Sequence, residues 1–457
     1  MNTLVLSSAI ADQLLEAADR KLESAAVLLA RLARLPNGDL RILARRLDWV
    51  QDDAYTRRTA HELVITSDGY MPSLRAAEER QDLAIFVHTH PSGKALPSEK
   101  DKQVDERLRN VFRNRTGSDC YGSLIAAVQD GNLIVGGAIE HGETCSVIER
   151  SWVVGDRLRL LPAPGQKVES IPAHFDRNVR AFGGAVQRAL GDLHIGIVGC
   201  GGIGSAVAEQ LARLGVRNFT LVDPDKISEP NVTRVYGSTF ADVGKNKVDV
   251  LGGHLERIAP GAVTHRVATT LINEVSAKKL ASCDIIFGCT DDNAARLILA
   301  RMSTYMLVPV IDSGVVLSSD KQDRLIGIDG RVTIMVPGTA CLLCRSRIDV
   351  KKAQAELMTP QERKRLADEG YAPALEGIEP AVVAFTTAVS AAAVGELLER
   401  LVHYGIEPVP SEILLRLHDR EASYNRTSLN PRHFCAPDSG KLGVGINEHF
   451  LDFPWPS

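Results

Sequence analysis

His88-Thr89-His90, seven further residues through Pro97, then Ser98-Glu-Lys-Asp101 set two imidazoles, a hydroxyl and a carboxylate at the spacing of a zinc hydrolase site. Just upstream, Leu83-Ala-Ile-Phe-Val87 is apolar and β-branched, which predicts a strand. Residues i and i+2 of a strand share a face, so His88 and His90 can bind one ion side by side. Beyond the Pro-rich loop, Ser98 reads as the N-cap of a helix over Glu99–Asn114, with Ser98 and Asp101 on one face of its first turn. Two histidines and an aspartate leave the fourth tetrahedral position to water, the mark of a catalytic rather than a structural zinc site.

A second chemistry begins at Gly199-Cys-Gly201-Gly202-Ile-Gly204, between a predicted strand at His194–Val198 and a predicted helix at Ser205–Leu214. Glycines there allow a tight turn and close approach of backbone to phosphate, and a helix N-terminus favours negative charge. A second strand, Asn218–Val222, leads to Asp223, nineteen residues past Gly204 and placed for a ribose hydroxyl. This much fits an NAD-dependent redox protein as well as an ATP enzyme. The residues that follow separate the two: Asp225, Asn231, Arg234, Lys247 thirteen residues later, and Asp291 in Cys289-Thr-Asp291-Asp292. Hydride transfer has no need of this set. Attack on the α-phosphate of ATP needs cations for the triphosphate and an acid for magnesium.

The elements that must position these groups are α/β throughout. Residues 1–150 alternate helical and strand-like segments, ending with strands near Ser123–Val128 and Leu133–Ile139. A Pro/Gly-rich stretch from Leu161 to Pro172 predicts a linker, giving domains over 1–160 and 176–457 with 161–175 between them. From Asp176 a helix and then alternating strands and helices predict a doubly wound, Rossmann-like sheet. After about Arg420 the chain is polar and punctuated by Pro and Gly, which predicts an extended tail packed on that sheet domain.

Composition narrows the function classes. The 457 residues, 44% hydrophobic and 24% charged, suit two or three globular domains. A net charge of −4 gives no support for nucleic acid as partner. No apolar run approaches the roughly 20 residues that span a membrane, and the N-terminus lacks a basic region before its apolar stretch. Eight scattered cysteines, two as Cys341-x-x-Cys344, argue for metal or free thiols and a cytoplasmic location.

The His88–Asp101 pattern resembles the JAMM (JAB/MPN-type) metalloproteases, which cut ubiquitin-like proteins from their conjugates and share a cytidine-deaminase-like α/β layout. The resemblance covers roughly the first third of the chain. It implies a glutamate near the end of the first helix or the start of the next strand, a context matched by Glu23 in Lys21-Leu-Glu23-Ser-Ala-Ala-Val-Leu-Leu29. Glu62 and Glu78 are nearer in sequence but stand in other settings. By the match, Glu23 moves the proton of a zinc-activated water and Ser98 hydrogen-bonds the developing oxyanion.

From about Arg177 to Leu398 the second set resembles the ubiquitin-activating enzymes and their bacterial relatives ThiF and MoeB, which adenylate the C-terminal glycine of a ubiquitin-fold protein. The match implies that Gly199, Gly201, Gly202, Gly204 and Asp223 hold adenosine and ribose, with Asp225 a further cofactor-binding residue. Asn231, Arg234 and Lys247 would hold the phosphates, and Asp291 magnesium. Arg177 matches an arginine that reaches the ATP of the opposite protomer, which implies a homodimer. Cys341 and Cys344 match half of a structural zinc knot whose second half is here Cys435, with His433 or Asp438 as fourth ligand. No cysteine lies between Arg345 and Phe434 to serve as a thioester nucleophile. Cys200, Cys283 and Cys289 read as structural, and no base stands beside Thr386 or Thr387 in sequence.

The joint reading is a zinc (iso)peptidase fused to an ATP- and magnesium-dependent adenylating domain, both acting on a ubiquitin-like or sulfur-carrier protein ending in glycine, with a conjugating-type enzyme as further partner. The alternatives are sulfur-carrier activation for a small metabolite, an inactive scaffold that binds a ubiquitin-like protein, and an NAD-binding redox protein. The retained zinc ligands and Asp291 argue against the scaffold.

Overall fold

The computed structural model describes residues 1–166, 170–322, 324–358 and 381–456. The chain separates into two units, Met1–Val168 with Gly443–Gly445, and Glu169–Leu442 with Ile446–Ser457. Among the described residues no helix is long and apolar enough to cross a membrane.

The first unit runs β1 (Thr3–Ser7), α1 (Ser8–Ala18), β2 (Ala25–Arg34), β3 (Leu40–Trp49), β4 (Tyr55–Arg58), β5 (Leu63–Ile65), α2 (Met71–Arg80), β6 (Leu83–His90), α3 (Glu99–Thr116), β7 (Cys120–Gln129), β8 (Asn132–His141), β9 (Thr144–Val147), β10 (Arg150–Val154) and β11 (Arg159–Pro162). Nine strands form one sheet, in the order β11-β10-β1-β3-β2-β6-β7-β8-β9, and β4–β5 is a separate hairpin. Strand β6 is buried along its whole length. Its Ile85 and Val87 join a core with Ile10 and Leu14 of α1. Its Ala84 and Phe86 join a second core with Leu74 of α2 and Phe112 of α3 on the opposite face. Burial on both faces is why β6 reads as a continuous apolar run.

Beyond the strands expected near Ser123–Val128 and Leu133–Ile139 three more follow, and β10 returns to pair in parallel with β1, Thr3 opposite Arg150. The stretch read as linker from Leu161 begins inside β11, where Leu161 and Pro162 pair with Ser151 and Arg150. Pro162 is tolerated because β11 is an edge strand, where a missing N–H need break no ladder bond.

The second unit runs α4 (Asp176–Asp192), β12 (His194–Val198), α5 (Gly202–Arg213), β13 (Asn218–Val222), α6 (Lys247–Ile258), β14 (Val263–Val267), α7 (Glu274–Leu280), β15 (Ile285–Gly288), α8 (Asn293–Tyr305), β16 (Val310–Ser319), β17 (Leu325–Met335), α9 (Val350–Leu357), α10 (Val383–Val402), β18 (Glu412–Arg416) and β19 (Glu421–Asn425). The sheet order is β14-β13-β12-β15-β16-β17-β18-β19. Strands β14 to β16 are parallel, and β17, β18 and β19 extend the sheet antiparallel. The order of connection reverses between β12 and β15, the place where open α/β sheets leave a crevice. The expected extended tail starts as a strand, because Glu421–Asn425 closes a hairpin on β18. Further on, the carbonyls of Leu451 and Asp452 accept from Arg301 at 2.6 and 2.7 Å. Gly377-Ile-Glu-Pro380, which the resemblance to the ubiquitin-activating enzymes makes part of a closing segment, lies outside the described residues.

Candidate active sites

In the first unit, His88 and His90 continue the parity of Phe86, on which His88 stacks at 5.7 Å, and so face α3. Ser98 caps α3: its Oγ accepts from Asp101 N at 3.3 Å, and its own N–H donates to Asp101 Oδ2 at 2.6 Å. This box turns the other edge of the Asp101 carboxylate toward the histidines. The two Nε2 atoms stand 3.1 Å apart, and each lies 3.4 Å from an Asp101 oxygen. Ligands on one tetrahedral zinc at about 2.0–2.1 Å would be separated by about 3.3 Å, so the donor set fits such an ion. His90 Nδ1 donates to Lys94 O at 2.8 Å, which leaves the Nε2 lone pair on the ligand side. For Asp101, burial alone would raise the carboxyl, but hydrogen bonds from His88, His90 and Ser98 hold it far below the usual range.

Glu23 precedes β2, whose register sets Ala25 opposite His88. Extending that register by two residues brings Glu23 level with His90 on the same face. Glu23 is 7% exposed. Its carboxyl is raised above the ordinary value, mainly by burial, with His88 and His90 opposing and Asp101 adding to the rise. A residue that sequence reasoning missed holds this turn. Arg58 of β4 donates from Nε to Glu23 O at 2.7 Å and from Nη2 to Ser24 Oγ at 2.6 Å. Glu62 instead pairs with Arg57 at 2.9 Å, and Glu78 with Arg115 at 3.5 Å.

The second unit opens a cavity of about 1250 Å3 at the strand-order reversal. Gly199 takes φ +89° and passes so near Cys289 that a Cβ would lie 2.5 Å from its carbonyl oxygen. A Cβ on Gly204 would meet Gly199 O at 1.8 Å, so α5 can start this close to the loop only with glycine there. Gly199, Gly201, Gly202, Asp223, Asp225, Asn231, Arg234, Lys247 and Asp291 all line the cavity, whereas Gly204 packs beneath it. Asp223 accepts the N–H groups of Cys200 and Asp225 at 2.7 and 2.8 Å, which braces the loop. Lys247 starts α6 and donates to Asp225 Oδ2 at 2.8 Å. Arg177 stands exposed in the first turn of α4 and does not line the cavity.

Asp292, passed over in favour of its neighbour Asp291, also faces the cavity. Burial first, then Asp291 and Glu356, push its carboxyl up to about 6. Glu356 of α9 accepts from Ala294 N at 2.7 Å and so closes the open end of α8 behind the acid pair. The three thiols Cys200, Cys283 and Cys289, of which only Cys289 lines the cavity, are poorly placed as nucleophiles. Cys200 and Cys283 are fully buried, and burial raises the Cys200 and Cys289 thiols well above their ordinary value. Thr386 Oγ1 donates to Val383 O, and Thr387 Oγ1 lies 2.9 Å from Tyr236 OH.

A separate group gathers Cys341, Cys344, His433 and Cys435, with ligand atoms all within 4.8 Å of one another. Cys344 Sγ lies 4.0 Å from Cys341 Sγ and 3.6 Å from Cys435 Sγ. His433 Nδ1 stands 3.2–3.7 Å from the three sulfurs. Thiolates on a tetrahedral zinc at about 2.3 Å would lie about 3.8 Å apart, so this set too fits the ion. Asp438 is not in the group. Cys435 stabilises the Cys341 thiolate by a hydrogen bond, which lowers Cys341 and raises Cys435.

Residues 175–435, more than half of the chain, match the ThiF family. The chain belongs to the ThiF family. Residues 6–132 match the prokaryotic homologues of the JAB domain, so the chain is a fusion of a JAB domain with an E1-like ThiF adenylyltransferase domain. The molybdopterin-synthase adenylyltransferase of Escherichia coli K12 is 31% identical over 188 residues, 40% of this chain and 72% of that protein. The ATP-dependent ubiquitin transferase-like protein Cap2 of Enterobacter hormaechei is 35% identical over 106 residues, 23% of this chain and 18% of that protein. The structure of E. coli MccB with ATP aligns at 20% identity and a TM-score of 0.46, covering 58% of this chain and 75% of MccB.

Proposed function

We propose that the JAB domain is a zinc (iso)peptidase that frees or exposes the C-terminal glycine of a ubiquitin-like protein, and that the ThiF domain adenylates that same glycine with ATP and magnesium. The observation that carries the reading is the coexistence of two complete donor sets, His88/His90/Asp101 with Glu23 and the cavity holding Arg234, Lys247 and Asp291, whose chemistries meet on one C-terminus. Eight free cysteines, three of them grouped for metal, suit a reducing cytoplasm.

In the JAB domain, zinc held by His88, His90 and Asp101 supplies Lewis-acid activation of water. Glu23, buried beside His90, would accept the proton of a zinc-activated water and return it to the leaving amine. The Ser98 oxygen already accepts the Asp101 amide, so its hydroxyl hydrogen remains to donate to the scissile carbonyl oxygen.

In the ThiF domain, the Gly199–Gly204 loop seats the nucleotide, Asn231, Arg234 and Lys247 face its phosphates, and Asp291 takes the magnesium. A carboxylate oxygen of the carrier forms a bond to the α-phosphorus as the α–β bridging P–O bond breaks and pyrophosphate leaves. No proton is transferred. With no cysteine between Arg345 and Phe434, the acyl-adenylate is the product this chain hands on. That feature equally supports the second reading, in which the activated carrier receives sulfur. Arg177, exposed on α4, is assigned to the nucleotide of a partner protomer.

The test is pyrophosphate exchange into ATP by the full chain, together with zinc analysis and cleavage of carrier proteins extended beyond Gly-Gly. Exchange and cleavage on the same carrier support the fusion reading. A chain that holds zinc and binds ATP but does neither with any glycine-ended carrier refutes it.

A further inference from the structure

The wall of the ThiF cavity away from the glycine loop carries an excess of positive charge. Arg331 of β17 lies directly opposite Gly314 of β16. It donates from Nη2 to Asp312 Oδ2 at 2.5 Å, while Arg296 of α8 brings Nε to 3.4 Å from Asp312 Oδ1. Asp312 is wholly buried, and the arginine side chains keep 15% and 16% exposure on the cavity they line. The next cation, Arg347, is already matched by buried Glu412 through two hydrogen bonds of 2.9 and 3.0 Å. Asp291 reaches Arg296 only through its backbone carbonyl, and Asp329 is exposed and registers opposite Arg416. Two guanidinium groups therefore share one carboxylate.

A half-buried positive charge without a counter-ion is unfavourable until an anion arrives. The opening for one is at Gly314: a Cβ there would stand 3.4 Å from Arg296 Nη2 and 4.0 Å from Arg331 Nη2. The missing side chain leaves a notch over both guanidiniums. Planar forked donors suit a carboxylate. Arg296 Nη1 lies 3.5 Å from Asp291 O, so an anion in the notch lies beside the acid assigned to magnesium.

We infer that Arg296 and Arg331, charged in common against Asp312, hold the C-terminal carboxylate of the acyl substrate before it attacks the α-phosphate. The inference rests on the adenylating reading of this cavity. The pair keeps the carboxylate ionised and places it across from the phosphates, which belong to Arg234 and Lys247.

The experiment uses the full chain saturated with a non-hydrolysable ATP analogue and a peptide ending in Gly-Gly, offered as the free acid and as the C-terminal amide. Wild type should bind the acid about 10-fold or more tightly than the amide, the worth of one charged hydrogen bond. Arg331→Gln should bring acid and amide to within about 2-fold while analogue affinity is unchanged. Gly314→Ala, whose Cβ makes only ordinary contacts, should fill the notch and weaken the acid alone. Asp312→Asn removes the shared anion and should tighten the acid, whereas a merely structural ion cluster would loosen it. Equal binding of acid and amide with the analogue in place overturns the inference. So does Arg331→Gln weakening the analogue as much as the peptide, which would make the arginine a phosphate ligand, and so does an Asp312→Asn chain that weakens the acid. Failure of wild type to bind the analogue at all overturns the adenylating reading itself.

Discussion

Replacing His433 by Ala should strip the ThiF domain of its metal and of a large part of its stability. The ligands join the turn after β17 to the segment after β19, and Cys341 and His433 are 92 residues apart in sequence. A cross-link closing a loop of that length restricts the unfolded chain by about 4–5 kcal/mol. For a unit of this size each kcal/mol moves the unfolding midpoint by about 2–4 °C, so the loss should be roughly 10–20 °C. Calorimetry and zinc analysis of the full chain check this together. His433→Ala should lower bound zinc from two equivalents to one and shift the ThiF-domain transition. Asp438→Ala should change neither, and His90→Ala should remove the other zinc without moving that transition. Loss of zinc from Asp438→Ala with retention in His433→Ala would refute the ligand assignment. Loss of zinc from His433→Ala without a shift would refute the cross-link as a source of stability.

Glu23→Gln should keep the JAB-domain zinc yet slow cleavage by about 10²–10⁴-fold, while Glu62→Gln stays active, as measured by carrier-fusion hydrolysis. Arg58→Met removes the bonds to Glu23 O and Ser24 Oγ and should lower kcat about 10-fold or more at unchanged zinc content, with partial rescue in Arg58→Lys. Asp291→Ala should abolish magnesium-dependent pyrophosphate exchange, and Lys247→Ala should weaken it by about 10²–10³-fold. For Glu412, burial raises the carboxyl, but Arg347 and Thr333 outweigh it and hold it below the ordinary value. A lowered carboxyl stabilises above the unfolded value of about 4.3 and loses that effect as pH falls through the folded value. The stability gap between wild type and Glu412→Gln should therefore be full at pH 7 and narrow below about pH 5, read from denaturant unfolding.

What was legible in the sequence was what short-range geometry controls. The alternation of Ile85, Phe86, Val87 and His88, the Ser98–Asp101 cap and the strand-loop-helix around Gly199–Gly204 each follow from a few consecutive residues. What was not legible depends on distant partners. Nothing near Arg58 announces that it holds Glu23 across 35 residues, nor near Glu356 that it caps α8 across 62. Strand β10 is short, and its partner β1 lies at the far end of the unit, so no local turn signal marks it. His433 and Asp438 are equally plausible ligands by spacing. Only the path of the chain into the two cysteines of the β17 turn separates them. Arg331 carries no local signal, because its meaning comes from Asp312 and Gly314 on the neighbouring strand.

The position of His88 and His90 at the end of a strand buried on both sides ties the metal site to the phase of the pleat. Inserting one residue between Leu83 and Val87 would carry both imidazoles to the α1 side, into hydrocarbon, and would bring Thr89 round toward Asp101. Inserting two would restore the phase. Length change within β6 should therefore be lethal to metal binding in descendants of this chain, unless it comes in even steps. The site is inherited as a rhythm as much as a set of residues.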